Sequence, residues 1–468
     1  MSKFSLNYLG YFFLLTSLLL FFNIIYCYYL DVLLSIDAFI YTIIISLTVS
    51  FALLIQKKKD FKVTIYEKIV SVILGYLLIP LLISVPYYLG NYNITFVDSY
   101  FESISGFTST GFTIFENIKH LDQSLVLWRS TSQWIGGLYF LFSIIMLIDI
   151  FDNNLKKSLT NFLSFSTSET LKQSIKVLIL YTFLTIFIFL VLKIINLRTF
   201  DSFNLALTII SSGGFLPFNN IETVLNTDFK RIVFSILMLF SFFGIFSIYN
   251  LIFFKKKNLN FFSEDLILLF YFVFLVFLFL IFFRLEHNFS YVLFSITSSI
   301  SNIGISFDKI PNNINFIFLL LVIIGGSFFS TSSGLRLVKV YSLIKFSVNE
   351  LLSHSKPNHI FKNRVLFTEF FTTRPENEKY FLTVLIFILS LFSLNFLLTI
   401  GGINFEEAFK IGILTLMNTV NSSMYGIDEF NFYYITDYNK FVLMVFMIIG
   451  RVELLTILIL LKKFLLNN

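Results

Sequence analysis

Phe101-Glu102-Ser103-Ile104-Ser105-Gly106-Phe107-Thr108-Ser109-Thr110-Gly111-Phe112 joins an aromatic-led amphipathic stretch to a short hydroxyl string that ends in glycine. The arrangement returns as Phe203 through Ile210-Ser211-Ser212-Gly213-Gly214-Phe215, and again as Phe294 through Ser301-Asn302-Ile303-Gly304. In each copy a glycine stands ten residues after the leading phenylalanine, and the copies lie roughly 90–115 residues apart. That spacing is too wide for a solenoid and suits repeated membrane modules. Small, backbone-permissive loops set between long apolar runs point to a pore lined by carbonyl oxygens.

The apolar runs decide the class. Of 468 residues, 57% are hydrophobic and 13% charged, against about 25% charged in a soluble domain; the mean hydropathy is +0.84. Ten stretches reach the roughly 18–20 residues that cross a bilayer: 8–30, 34–55, 68–89, 124–149, 174–195, 230–254, 264–284, 314–345, 378–400 and 438–462. The first is too long for a signal peptide's apolar region, lacks an A-x-A site and is expected to be a retained span. The 65 phenylalanines are accounted for by biased coding and lipid-facing surface. Cys27 is the sole cysteine and the four histidines are scattered, so internal disulfides and CxxC-type sites are excluded. The net charge of +6 sits in short loops, as topology requires, and implies no nucleic-acid partner.

Shorter, more polar segments near 96–112, 200–215, 290–304 and 404–420 lie between alternate pairs of spans. They are expected to be re-entrant half-helices, since irregular backbone is tolerated at membrane depth only where it lines a water-filled path or is buried in protein. The expected fold is an all-α polytopic membrane protein. Two leading helices occupy 1–60, followed by four helix–pore loop–helix modules at 61–158, 159–258, 259–377 and 378–468. The third carries an interrupted inner helix and, at 346–377, a cytoplasmic connector. Lys3, Lys57–Lys59, Lys156, Lys157, Lys255–Lys257, the cations of 345–379, Lys462 and Lys463 fall on one side of this plan. The positive-inside rule makes that side cytoplasmic, with both termini inside. Lys119, Lys230, Arg231 and Lys309 fall near the outer mouth.

A dehydrated monovalent cation needs oxygens that replace its hydration shell without a fixed charge to trap it. Glycine lets successive carbonyls aim at one axis, hydroxyls add oxygens, and a half-helix turns its negative C-terminal end toward the ion. The candidate filter strings are Thr108-Ser109-Thr110-Gly111, Ile210-Ser211-Ser212-Gly213 and Ser301-Asn302-Ile303-Gly304. Small residues are also common where membrane helices pack, but three matched strings are hard to obtain that way. Gly325 and Gly326, with the cluster before Gly334, would break a helix near mid-membrane, either as a movable obstruction or as a packing kink. Arg451 lies in an apolar helix, where a charge is costly and points to function, with snorkelling to the interface as the alternative. Arg129 and Gln133 share a face with Gly136-Gly137 and are expected to hold the first pore loop. Glu102 is either a charge partner for the half-helix or an attractor of cations at the mouth.

These strings, followed by Trp128-Arg129-Ser130-Thr131-Ser132-Gln133-Trp134-Ile135-Gly136-Gly137, resemble the pore loops of the Trk/Ktr/HKT superfamily of potassium transporters, closest to its bacterial TrkH-type membrane subunit. Gly325-Gly326-Ser327 through Ser332-Ser333-Gly334-Leu335-Arg336 resembles the family's interrupted helix, and Gly450-Arg451-Val452-Glu453 its last-helix motif. The resemblance implies potassium uptake through four pseudo-repeated modules around one pathway. It makes Gly325, Gly326, Ser327, Ser330, Thr331, Ser332, Ser333, Gly334 and Arg451 an intramembrane gate, with Glu453 anchoring another element. It further implies a homodimer in the lipid of the inner (plasma) membrane and a cytosolic nucleotide-binding regulatory subunit of NAD or ATP type. Potassium is substrate, and no cofactor is implied on this chain.

One departure stands out. The fourth loop, Met417-Asn418-Thr419-Val420, places valine where the family has glycine. A β-branched residue is poorly suited to positive φ, so one quarter of the filter is expected to differ in shape, and strict potassium selectivity is open. In the related plant transporters a first-loop serine accompanies sodium transport; Gly111 is retained here and favours potassium. A sodium-permeable or ion-coupled transporter is the alternative reading, although few acidic residues lie in the spans. An integral-membrane transferase would need a cluster of Asp, His or Arg at one membrane face, which the sequence lacks, so an enzyme is not expected.

Overall fold

The computed structural model describes residues 4–29, 31, 36–55, 64–90, 92–147, 170–245, 247–248, 263–282, 288–307, 314–355, 374–427 and 430–452. Lys3, Lys57–Lys59, Lys156, Lys157, Lys255–Lys257, Lys309, Lys356, Lys362, Arg364, Glu453, Lys462 and Lys463 lie outside these residues, and with them most of the charge argument for orientation. Helix dominates, as it must where lipid offers backbone groups no partners. Among the described residues six helices are long and apolar enough to cross a membrane: Tyr8–Tyr29, Ile36–Leu54, Ile65–Tyr88, Ser174–Ile194, Glu264–Ile281 and Arg374–Ile400.

The leading pair, α1 (Phe4–Tyr29) and α2 (Ile36–Leu54), is joined by small polar residues. Ser50 donates to the Gly10 carbonyl at 2.8 Å and Ser46 to that of Phe13, the close-approach packing of membrane helices. Then come α3 (Ile65–Ile83), α4 (Val85–Tyr88), α5 (Phe96–Phe107) and α6 (Gln123–Met146). They are followed by α7 (Thr170–Ile194), α8 (Thr199–Ile210) and α9 (Asp228–Phe242). The third group is α10 (Ser263–Phe282), α11 (Phe289–Ile300), α12 (Asn315–Ile323) and α13 (Leu337–Ser355). The last is α14 (Arg374–Ile400), α15 (Phe405–Leu416) and α16 (Asp437–Arg451).

The four half-helices α5, α8, α11 and α15 each have 12 residues. At 1.5 Å per residue that is about 18 Å, well short of a hydrocarbon core of about 30 Å, so they enter and do not cross. Each packs against the inner helix of the preceding module: α8 on α6, α11 on α9, α15 on α12, and α5 on α16. The last of these contacts closes the four modules into a ring.

Two expectations are corrected, and the interruption expected in the third module is found. The span at 230–254 is not one helix: it stops at Phe242, is extended at Phe243 and is helical again at Ile245, Ser247 and Ile248. The span at 314–345 is interrupted where the glycines were expected to break it, as two helices separated by a loop. Its ends are β1 (Ile324–Gly325) and β2 (Leu335–Arg336), paired in parallel with Ile324 opposite Leu335. Helix α13 then runs to Ser355, into the stretch expected as connector. The first two breaks answer one another: Phe242 O accepts from Ser327 N at 2.9 Å, Ser241 O from Ser332 N at 3.1 Å, and Ile245 N donates to Phe329 O at 3.1 Å. Two opened helices thus satisfy each other's backbone groups, the condition for breaking a helix inside a membrane.

Candidate functional site

All four half-helices end in the same turn. The residue after each C-cap (Ser109, Ser212, Asn302 or Asn418) is left-handed, with φ of 58°, 56°, 59° and 48°. Each N–H at that position returns to the carbonyl three residues back: Ser109 to Gly106 at 2.9 Å, Ser212 to Ile209 at 3.1 Å, Asn302 to Ser299 at 3.1 Å and Asn418 to Thr415 at 3.2 Å. The next N–H reaches five back: Thr110 to Ser105 at 2.9 Å, Gly213 to Thr208 at 2.8 Å, Ile303 to Ser298 at 3.1 Å and Thr419 to Leu414 at 2.9 Å. These are complete Schellman motifs, built on serine and asparagine in place of the usual glycine. A non-glycine residue there costs about 1–2 kcal/mol, so the surrounding bonds hold the turn. Asn302 Nδ2 donates to Val322 O and Asn418 Nδ2 to Met447 O, both at 2.9 Å, tying each turn to the inner helix of its own module.

The turns then bond to one another. Ser212 Oγ donates to Ser301 O, Asn302 Nδ2 to Thr419 Oγ1 at 3.1 Å and Asn418 Nδ2 to Thr110 Oγ1 at 3.0 Å. The first and second loops meet through Gln133 of α6, whose Oε1 accepts from Phe215 N at 3.3 Å. Thr108, Ser109, Thr110, Gly111, Ser211, Ser212, Gly213, Ser301, Asn302, Ile303, Gly304, Met417, Asn418 and Thr419 are therefore brought together and buried.

The second loop is shifted by one from its sequence register. Ile210 is the last residue of α8, the counterpart of Phe107, and Gly214, not Gly213, is the counterpart of Gly111 and Gly304. Phe203 misled the count, since Asn204 holds the helical place of Phe101 and Phe294. The glycines also differ: Gly111 and Gly304 have φ of 74° and 76°, whereas Gly214 and Val420 are not left-handed. The departure expected for Val420 is thus shared with the second loop.

Glu102 and Arg129 settle an open alternative. Glu102 does not reach the mouth: it is fully buried, 2.8 Å from Arg129 Nε, and its other oxygen accepts from Ile114 N at 2.9 Å. Arg129 also donates to Thr113 Oγ1 at 2.9 Å and stacks 4.1 Å from the Phe215 ring centroid. One buried pair thus holds half-helix, ascending loop, inner helix and second module together. Gly136 and Gly450 let inner helices press on the Phe107 and Leu416 carbonyls, where a Cβ would overlap the oxygen. A second buried pair, Lys440 Nζ to Asp98 Oδ1 at 2.6 Å, joins the fourth module to the first. Sequence reasoning missed it, as it spans 342 positions.

The broken segment lies against the half-helix ends. Thr331 Oγ1 donates to Ile210 O at 2.7 Å and Ser333 Oγ to Asn418 Oδ1 at 3.3 Å. Arg451 is buried, not snorkelling: Nη1 donates to Ser333 Oγ at 2.7 Å, Nη2 to Ser109 Oγ at 3.5 Å, and the guanidinium lies 4.3 Å from the Phe140 ring centroid. Within the segment, Arg336 Nη1 donates to Ser327 O at 2.8 Å and Ser332 O at 3.0 Å; Ser330 Oγ donates to Ser327 O at 2.7 Å. The tight loop needs its glycines: a Cβ on Gly325 would overlap Ser333 O, and Gly334 has φ of 90°. Glu264 caps the loop by accepting from Phe328 N at 3.0 Å, and Asp265 accepts from Gly244 N at 2.9 Å. Neither acid was singled out from the sequence. Among the described residues no cluster of His, Cys, Asp or Glu could hold a metal ion.

A ring of re-entrant half-helices inside an all-α polytopic bundle defines a pore-loop membrane protein. No family model matches the chain. It is 22% identical over 439 residues to the Trk system potassium uptake protein TrkG of Escherichia coli, covering 87% of both chains. It is 26% identical over 312 residues to an uncharacterized cation transporter of Methanocaldococcus jannaschii, covering 63% of this chain and 62% of that one, less than two thirds of the relative's length. The crystal structure of the potassium transporter TrkH from Vibrio parahaemolyticus superposes with a TM-score of 0.83, at 20% identity, over 98% of this chain and 99% of that chain. The chain is a homologue of the Trk potassium uptake proteins and has the TrkH fold. These relatives are transporters, in keeping with the absence of an expected catalytic site.

Proposed function

We propose that the chain is the membrane permeation subunit of a cation uptake system, with potassium as the transported ion. The observation that carries this reading is the ring: four half-helices of equal length end in one kind of turn, and the turns bond to one another. Each helix C-terminus carries about half a negative charge, and four converging on one ring favour a cation without trapping it. Carbonyl and hydroxyl oxygens of Thr108–Gly111, Ser211–Gly214, Ser301–Gly304 and Met417–Val420 would replace its water.

The loop from Gly326 to Gly334 is the gate in this reading, held shut from below. Opening breaks Thr331 to Ile210, Ser333 to Asn418 and Arg451 to Ser333. At about 1 kcal/mol for each neutral bond and 1.5–3 for the charged one, that is roughly 3.5–5 kcal/mol. A cytosolic nucleotide-binding partner would supply it as differential affinity for the two states. The relatives' membership of Trk systems supports such a partner. A homodimer in the inner membrane, with both termini cytoplasmic, completes the proposal and rests on the family resemblance and the lysine distribution.

Growth rescue of a potassium-uptake-deficient bacterium tests the reading, with Gly111→Arg as control. Rescue that survives Gly111→Arg refutes the filter assignment. Absence of cation flux in proteoliposomes under every partner and nucleotide condition refutes transport.

A further inference from the structure

Val420 stands at the ring level of Gly111, Gly214 and Gly304, and its side chain crosses that ring. The order of the loops follows from contacts at this level. An ideal Cβ on Gly111 would lie 3.5 Å from Gly214 N, one on Gly214 2.6 Å from Ile303 O, and one on Gly304 2.6 Å from Val420 O. The loops therefore run first, second, third, fourth around the ring, and the second lies diagonally opposite the fourth. Yet a Cβ on Gly214 would overlap the Cγ2 methyl of Val420, and so would a Cβ on Gly111. Allowing one bond of about 1.5 Å, that methyl is in van der Waals contact, within about 4 Å, with the Cα of the adjacent loop and of the diagonal one. The glycines are buried and Val420 is half-buried, with its Cγ2 methyl set against the backbone of two of them.

The geometry points to Val420 as a side-chain plug that removes the outer cation site of the filter and limits throughput and selectivity. This rests on the filter reading above. A methyl in contact with opposite sides of the ring leaves no room for a dehydrated ion and presents no oxygen to it. An apolar constriction of this kind opposes ions by excluding water. A cation passes only when the side chain swings aside, and discrimination falls to the inner hydroxyl and carbonyl levels.

Rubidium uptake by the full chain and by Val420→Gly, Val420→Ala and Val420→Ile, in the potassium-deficient host, tests it. The expected order is Gly, Ala, Val, Ile from fastest to slowest, with Val420→Gly on the order of tenfold faster than wild type, a barrier change of about 1.4 kcal/mol, and less inhibited by sodium. Crystals in rubidium supply a readout independent of the gate: an anomalous peak at the glycine level in Val420→Gly and none there in the wild type. Equal uptake across the series, valine as the fastest residue, or rubidium at that level in the wild type overturns the plug. If the series is flat while Gly111→Arg abolishes uptake, the plug falls and the filter stands. Uptake that survives Gly111→Arg removes the filter reading itself.

Discussion

Glu102→Ala isolates the buried pair that fixes the first pore loop. Both side chains are at most 1% exposed, at 2.8 Å. The change removes an acceptor for Arg129, Thr113 and Ile114 and leaves a guanidinium with no counter-charge at that site. Arginine cannot escape by losing its proton, so the full cost of breaking a buried pair applies, about 3–5 kcal/mol. Arg129→Met is milder, because the stranded carboxyl can take up a proton and become neutral. The Glu102→Gln/Arg129→Met double variant, with no charge left, should be milder still. At about 2 °C per kcal/mol for a large chain, Glu102→Ala lowers the melting temperature in detergent by roughly 6–10 °C. Cys27, the sole cysteine and buried, makes the assay direct, since a thiol-reactive fluorophore labels it only on unfolding. A melting point within about 1 °C of wild type, or an Arg129→Met variant less stable than Glu102→Ala, would refute the reasoning.

Three further outcomes are expected. Arg451→Ala and Ser333→Ala each remove a bond that holds the broken segment against the ring, so basal rubidium uptake without partner stimulation should rise; an unchanged or lower basal rate at normal expression contradicts the gate. Gly326→Ala drives a Cβ into the Phe242 carbonyl, a backbone atom that cannot swing away; overpacking of this kind costs about 1–3 kcal/mol or more, measured as a lower melting point and reduced monodisperse yield. Lys410 donates to Glu406 at 2.7 Å and holds its carboxyl below the ordinary range. The depressed pKa contributes stability above the unfolded value of about 4.3, lost as pH falls through the folded value. Wild type and Glu406→Gln should therefore converge in melting temperature on acidification, and a gap that widens toward acid contradicts the pairing.

The half-helices were legible because two periodicities meet in them: an amphipathic stretch too short to cross, followed by hydroxyls and glycine. What the sequence hid was register. Gly213 and Gly214 offer two equivalent ways to count, and Phe203 selected the wrong one; the left-handed Ser212 decides the matter. The break at Phe243 was hidden because an apolar run continues through it, and only the opened helix facing it supplies the missing partners. The acids Glu264 and Asp265 stand at the start of an apolar span with no motif to mark them, yet they bond to backbone in two other segments. Lys440 and Asp98 stand 342 positions apart, and their pairing exists only once the ring closes.

The ring is fourfold in its turns but twofold in the segments just beyond them, which is why a valine is tolerated. Ser105 and Ser298 stand at equivalent places in their half-helices, and each donates to the carbonyl seven residues on, Phe112 O and Ile305 O, at 2.6 Å. Those tethers accompany the left-handed Gly111 and Gly304, whose N–H groups also return to Ser105 and Ser298 at 3.2 Å. In the other two loops the equivalent residues cannot tether: Thr208 bonds within its own helix, to Leu205 O at 3.0 Å, and Leu414 has no hydroxyl. The fourth residue there is released from positive φ. Gly214 is still barred from a side chain, since a Cβ would lie 2.6 Å from Ile303 O, a backbone atom. Position 420 is thus the one ring place where neither backbone conformation nor a neighbouring main chain forbids a branched residue. A valine placed at Gly304 would have to bear both a φ of 76° and a Cβ 2.6 Å from Val420 O. Substitution of the filter glycines should therefore be graded by position, with Gly304→Val far more damaging to folded yield than the valine the chain already carries.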